Sequence, residues 1–159
     1  MSSDEQTVRL NINGEDVDLL LDGGETLLVS VRERLGLTGS KRGCNQGVCG
    51  ACTMLVDGEP MRGCLMLSSA CNNREITTIE GIADGFNLTP IQEAMVEFGG
   101  LQCGFCTSGM VLTLSAFLAE NSSPTREQVR HALSGNLCRC TGYTKIVDAA
   151  MHVAEEFVS

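Results

Sequence analysis

The sequence predicts an α+β chain, with a strand-rich first half folded around one helix and a second half built of four helices. Three observations carry this. Apolar and polar residues alternate from Thr7 to Asn13, so that Val8, Leu10 and Ile12 share one face. From Thr89 onward apolar residues recur instead at helical spacing. Between the two regimes, Gly81 to Leu88 (GIADGFNL) reads as a linker, dividing the chain into domains of residues 1–80 and 81–159.

The elements follow in order. Gly14-Glu15-Asp16 signals a turn, and Val17 to Leu21 is expected to return as the hairpin partner of the first strand. Thr26 is placed to cap a helix from Leu27 to Leu35, with Leu27, Leu28, Val31 and Leu35 inward and Gly36 as its stop. Cys52 to Gly58 reads as a strand entering a turn, and Glu75 to Ile79 as a short late strand. In the second half Thr89-Pro90 is an N-cap with proline at the first helical position, opening a helix to Phe98. A second helix spans Cys106 to Glu120, with Met110, Val111, Leu114, Phe117 and Leu118 at helical spacing. Ser123-Pro124-Thr125 breaks the chain, and Thr125 with Gln128 forms a capping box for a helix from Arg126 to Leu133. Gly135-Asn136 stops that helix. The last one runs from Thr144 to Phe157 and presents Ile146, Val147, Ala150, Val153, Ala154 and Phe157 on one broad face.

Composition excludes several functions. Net charge is −9, from 11 Lys+Arg against 20 Asp+Glu, and no basic cluster offers a footprint for nucleic acid. Five Phe, one Tyr and no Trp leave little aromatic surface for stacking bases. The segment MSSDEQTVRL has neither a basic n-region nor an apolar core, so it is not a secretory signal. No apolar run is long enough for a membrane span. A soluble cytoplasmic protein is expected. There is no G-x-G-x-x-G fingerprint, P-loop or HExxH, and His131 and His152 read as surface or packing residues on helices.

Eight of the nine cysteines fall into two tetrads. Cys44, Cys49, Cys52 and Cys64 are spaced C-x4-C-x2-C-x11-C; Cys103, Cys106, Cys138 and Cys140 are spaced C-x2-C-x31-C-x-C. Disulfides belong chiefly to secreted chains. Structural zinc usually pairs two short knuckles, which the x4 gap and the tight Cys138-x-Cys140 do not resemble. The first spacing is instead that of plant-type [2Fe–2S] ferredoxins. Iron–sulfur ligation also accounts for Gly43, Gly47 and Gly50, and for Gly99, Gly100 and Gly104, because backbone N–H groups must approach the sulfurs closely. Cys71 is left over, and packing is its expected fate, with replacement of Cys64 as a ligand the rival.

Strands packed on one helix beside a metal loop match a β-grasp ferredoxin. With these residues laid out, the chain resembles the small iron–sulfur subunit of the molybdenum hydroxylases, the xanthine dehydrogenase and aldehyde oxidoreductase family. The resemblance runs from Thr7 to Phe157 and is most specific in Gly43-Cys-Asn-Gln-Gly-Val-Cys-Gly-Ala-Cys52, Gln102-Cys-Gly-Phe-Cys-Thr107 and Gly135-Asn-Leu-Cys-Arg-Cys-Thr-Gly142. It implies a plant-type ferredoxin domain of β-grasp fold followed by an all-α four-helix-bundle domain, each with one [2Fe–2S] cluster. It further implies a large molybdopterin subunit, a medium FAD subunit and assembly as a dimer of such three-chain units. By the same resemblance Cys103, Cys106, Cys138 and Cys140 hold the cluster nearer molybdenum, and Cys44, Cys49, Cys52 and Cys64 the one nearer the flavin. Gln102 and Cys140 are the expected molybdopterin contacts. The implied role is one-electron relay within an oxidoreductase, with no substrate chemistry on this chain. Ser108 stands where the family commonly has proline, and a small effect on stability is expected. A free-standing two-cluster carrier and a zinc-stabilised interaction module are the competing readings.

Overall fold

The computed structural model describes residues 5–156. The N-terminal tetrapeptide and the expected contribution of Phe157 to the last helix lie outside the described residues.

Strand β1 (Glu5–Ile12) pairs antiparallel with β2 (Glu15–Asp22) in a register that closes Ile12 on Glu15. Asn13 and Gly14 form the turn, both left-handed with φ of 54° and 86°. A two-residue turn of that hand matches the twist of the flanking strands. The hairpin therefore pivots one residue earlier than the expected Gly14-Glu15-Asp16, and Glu15 is already in β2. The second hairpin, β3 (Thr53–Val56) and β4 (Glu59–Arg62), turns on Asp57-Gly58 in the same way, with φ of 52° and 83°. β4 was not foreseen. It is an edge strand without apolar alternation, and its Pro60 is tolerated only at a sheet edge. With β5 (Glu75–Thr77) the five strands lie in the order β2-β1-β5-β3-β4, and β5 runs parallel to β1 and antiparallel to β3.

Helix α1 (Leu27–Val29) presses Leu27 and Leu28 onto Val8, Leu10, Ile12, Met54, Val56 and Ile76. It widens into a π-helical turn at Ser30–Arg34, where Leu35 N donates to Ser30 O at 3.2 Å. Val31 stays in the core, and Leu35 is only partly buried. The expected cap by Thr26 does not form. Its Oγ1 is buried without a partner, and its backbone bridges Leu67 instead. Glu25 organises this end of the helix: its carboxylate accepts from Ser30 Oγ at 2.9 Å and from Arg34 Nη2 at 3.0 Å.

The helical half comprises α2 (Pro90–Glu97), α3 (Thr107–Glu120), α4 (Arg126–Ala132) and α5 (Thr144–Glu156). The capping box of α4 forms as expected, with Gln128 N donating to Thr125 Oγ1 at 3.3 Å and Thr125 N to Gln128 Oε1 at 2.7 Å. Met95, Met110, Leu114, Val129, Leu133 and Ile146 are the centre of the bundle core. Leu112 and Thr113 are buried as well, because α3 has β3 and β4 packed on its other side. This helix is the wall shared by the two halves. The observed architecture is thus the α+β arrangement expected: a β-grasp unit followed by a helical unit.

Arg34 and Ser30 together hold the Glu25 carboxyl below the usual glutamate range, the Arg34 hydrogen bond first and against an opposing effect of burial. A lowered native value stabilises the fold above the unfolded value, and this contribution is lost as pH falls through the native one. Replacing Glu25 by Gln is expected to cost about 1–2 kcal/mol at neutral pH. The gap to the parent should close on acidification below the ordinary glutamate range. Denaturant unfolding at stepped pH measures it, and a pH-independent gap would refute the assignment.

Candidate metal centres

The loop that carries Cys44, Cys49 and Cys52 is wound from left-handed residues: Asn45, Gly47 and Gly50 have φ of 56°, 75° and 72°. This winding turns successive N–H groups inward. Gln46, Val48 and Cys49 donate to Cys44 Sγ at 3.4, 3.3 and 3.3 Å, and Gly47 donates to Cys64 Sγ at 3.3 Å. A Cβ on Gly43 would lie 2.8 Å from Cys49 Sγ, so glycine keeps the loop clear of that sulfur. Arg32 Nη1 fastens the start of the loop by donating to Thr38 O and Ser40 O at 2.8 and 2.7 Å.

At the other site, Cys103 and Cys106 flank the left-handed Gly104 (φ 80°) where the chain enters α3. Cys138 and Cys140 sit on the loop before α5. There Thr141 N donates to Cys138 Sγ at 3.4 Å, and the Thr141 hydroxyl stands 3.0 Å from the same sulfur. Tyr143 braces the loop, its hydroxyl accepting from Cys138 N at 2.9 Å and donating to Asn136 O at 3.1 Å.

The thiols meet in pairs. Cys140 and Cys103 are 3.5 Å apart, and the thiols of Cys44 and Cys49, Cys52 and Cys64, and Cys106 and Cys138 stand near enough to influence each other's ionisation. Two pairs at each site suit a cluster of two irons with four cysteine ligands. Cys71 lies apart, fully buried among the residues of the strand-side core.

The environment also prepares some thiols to ionise. The N–H of Cys49, with that of Gln46, draws the Cys44 thiol down to about 6. The N–H of Phe105 lowers Cys103. Burial acts upward on Cys138, yet the Thr141 hydroxyl and N–H outweigh it and the net shift is downward. Burial pushes Cys52 up to about 11 and Cys106 up to about 12. The thiol hydrogen bond to Cys103 raises Cys140. Two pairs, Cys103 with Cys140 and Cys138 with Cys106, thus join a thiol held low to one held high, whose proton a metal must displace.

The two loops touch each other directly. Leu137 N donates to Cys49 O at 2.8 Å, joining a neighbour of one tetrad to a member of the other. Asn136, 1% exposed, donates to Gly50 O at 3.2 Å and accepts from Thr113 Oγ1 at 3.2 Å. Thr53 Oγ1 donates to Gly50 O at 2.6 Å and accepts from Arg62 Nη1 at 2.7 Å, while Arg62 Nη2 reaches Gly135 O at 2.6 Å. Sequence reading missed this junction. It took Asn136 for a helix stop and passed over Arg62, Thr53 and Thr113, which bear no motif of their own. Gln102 is exposed beside Cys103, and its side chain makes no hydrogen bond among the described residues. Ser108 lies in an intact first turn of α3, with its buried hydroxyl unpartnered. His131 and His152 lie on helices α4 and α5; the His152 ring packs at a tilt of 42° against Phe98, with ring centroids 5.1 Å apart.

The chain matches two family models, a 2Fe-2S iron-sulfur cluster binding domain over residues 10–78 and a [2Fe-2S] binding domain over residues 78–151. It is 47% identical to the nicotine 6-hydroxylase small subunit of Paenarthrobacter nicotinovorans, covering 94% of this chain and 90% of that one. It is 44% identical to the nicotinate dehydrogenase small FeS subunit of Eubacterium barkeri, covering 94% of this chain and 95% of that one. Among solved structures, that of quinoline 2-oxidoreductase from Pseudomonas putida 86 superposes with a TM-score of 0.93 at 45% identity, over 99% of this chain and 98% of that chain.

Two glycines separate the cost of backbone hand from the cost of crowding. Gly58 has φ of 83° and open space where a Cβ would stand; Gly50 has φ of 72°, and its Cβ would collide with Gly135 O across the junction. Gly58→Ala is expected to cost about 1–2 kcal/mol from left-handed strain alone. Gly50→Ala should cost distinctly more and lower the iron retained per chain. Thermal unfolding with iron analysis compares them, and equal losses would mean the loops are not in contact.

Proposed function

Because the chain belongs to the small iron–sulfur subunits of the molybdenum hydroxylase family, we propose that its four thiol pairs hold two [2Fe–2S] clusters between a molybdenum centre and a flavin. The chain is an electron-transfer component of an oxidoreductase. When bound, each cluster takes up and passes on one electron at a time. The residues of this chain hold the irons, direct N–H groups at the sulfurs and fix the two sites against each other. Two cysteine tetrads, each within a [2Fe-2S] family-model match and each with backbone N–H groups directed at its sulfurs, are the observation that carries this reading.

In this reading Cys44, Cys49, Cys52 and Cys64 hold the cluster nearer the flavin, within a domain of residues 1–80. Cys103, Cys106, Cys138 and Cys140 hold the one nearer molybdenum, within residues 81–159. Exposure supports that order of contacts. Cys103, Cys140 and Gln102 are all open to the surface, so Cys140 and the unengaged Gln102 amide are available to a molybdopterin on a large partner subunit. Leu101, Phe105 and Leu137, at 39%, 47% and 50% exposure, surround that site with apolar surface. Val48 and Leu65, at 59% and 63%, do so at the first, where we place the medium FAD subunit. We place the assembly, a dimer of three-chain units, in the cytoplasm, where thiols stay reduced. No helix among the described residues is long and apolar enough to cross a membrane.

The natively purified assembly should contain about four iron and four sulfide per chain of this type. Cys44→Ser and Cys103→Ser should each reduce iron to about two and abolish the visible and paramagnetic signature of one cluster only. Turnover with a flavin-dependent acceptor should fall while substrate binding stays nearly unchanged. Colourless protein containing zinc would replace this reading with a structural module, and full turnover in either variant would remove the relay.

A further inference from the structure

Arg62 occupies an unusual electrostatic position. It is partly buried at the junction of the two halves, and its guanidinium spans them, donating to Thr53 Oγ1 at 2.7 Å and to Gly135 O at 2.6 Å. Both acceptors are neutral. Arg9, Arg34, Arg74 and Arg126 each have a carboxylate partner, whereas among the described residues Arg62 has none. A guanidinium withdrawn from water without an anion is costly unless something compensates its charge. Among the described residues no carboxylate does so, in a chain whose net charge is −9.

The segments that meet at Arg62 are those that carry the cysteines. Arg62 precedes Cys64 by two residues, its acceptor Thr53 adjoins Cys52, and its acceptor Gly135 stands three residues before Cys138. Gly135 has no side chain, and a Cβ there would displace Arg62 Nη2 from its position. We propose that Arg62 is the internal counter-cation of the two iron–sulfur sites, acting more strongly on the first tetrad than on the second. The inference rests on the two-cluster reading above. A cluster ligated by four thiolates is anionic and becomes more so on reduction. A fixed positive charge nearby therefore stabilises the reduced form, and cluster potential follows local charge and hydrogen bonding. Because Arg62 stands two residues from Cys64 and its acceptor Thr53 adjoins Cys52, Arg62 makes the first cluster the better electron acceptor. The electron is thereby drawn away from the second tetrad, in the direction that the relay requires.

The test is a redox titration of the full chain, loaded with iron and sulfide, following each cluster by its paramagnetic signal. Arg62→Gln keeps hydrogen-bonding capacity and removes the charge; Arg62→Lys keeps the charge and breaks the fork. At full iron content, Arg62→Gln should lower the midpoint potential of the first cluster and lower that of the second by less. The potentials in Arg62→Lys should stay near the parent's. Unchanged potentials in Arg62→Gln, an equal fall in Arg62→Lys, or a larger shift at the second cluster would each overturn the proposal. Should Arg62→Gln not retain its iron, Arg62→Met repeats the charge deletion. In either case Arg62→Lys is the control, since a fallen potential with the charge kept excludes a charge effect. Parent protein without two clusters would instead end the two-cluster reading itself, and iron analysis separates that failure from the others.

Discussion

Negative charge on sulfur has to be solvated inside a chain that is itself acidic, and that constraint organises most of what lies between Ser40 and Gly142. Acidic side chains cannot help, and cations are few. Backbone N–H groups do the work, because they bring positive dipole ends to the sulfurs without adding side-chain bulk. To aim several amides at one atom the chain must coil tightly, which explains the left-handed Asn45, Gly47 and Gly50 around Cys44. The second site reaches the same end differently. One loop, braced by Tyr143, brings the hydroxyl and amide of Thr141 to Cys138.

The same constraint shapes the junction. Two thiol-bearing loops can lie side by side only if neither carries side chains at the point of closest approach. Gly50, Gly109 and Gly135 meet there, and a Cβ on any of them would strike the opposing loop or the Arg62 side chain. The space is filled by Asn136, Thr53 and Thr113, small polar groups that satisfy one another. Such a network tolerates burial because its members are paired.

Much of this was legible in the chain alone, and the exceptions have physical causes. Alternation at Val8, Leu10 and Ile12 marked β1 because one face of that strand is solvated, and the Thr125–Gln128 box marked the start of α4 because capping is local chemistry. β4 escaped notice because an edge strand bearing Pro60 has no apolar pattern to display. Thr26 looked like a cap, but the chain spends its backbone on a bridge to Leu67 and leaves the end of the helix to Glu25. Cysteine spacing singled out both tetrads, yet it could not tell which thiols stand together. Cys103 beside Cys140, and Cys106 beside Cys138, are juxtapositions made by the packing of α3 and α4. Arg62, Thr53 and Asn136 were silent for the same reason: their meaning lies in what the other half of the chain brings against them.

The distribution of the cysteines along the chain has a consequence for how the protein is made. Cys44, Cys49 and Cys52 lie within one loop, and Cys64 is brought beside Cys52 by the short β3–β4 hairpin. That site needs only local closure, which is entropically cheap and fast. Cys106 and Cys138 face each other across the whole of α3 and α4, and their loop leans on Cys49 O and Gly50 O of the finished first half. The first site is therefore closed by residues that all precede the second, and the second rests on carbonyls that the first site's loop supplies.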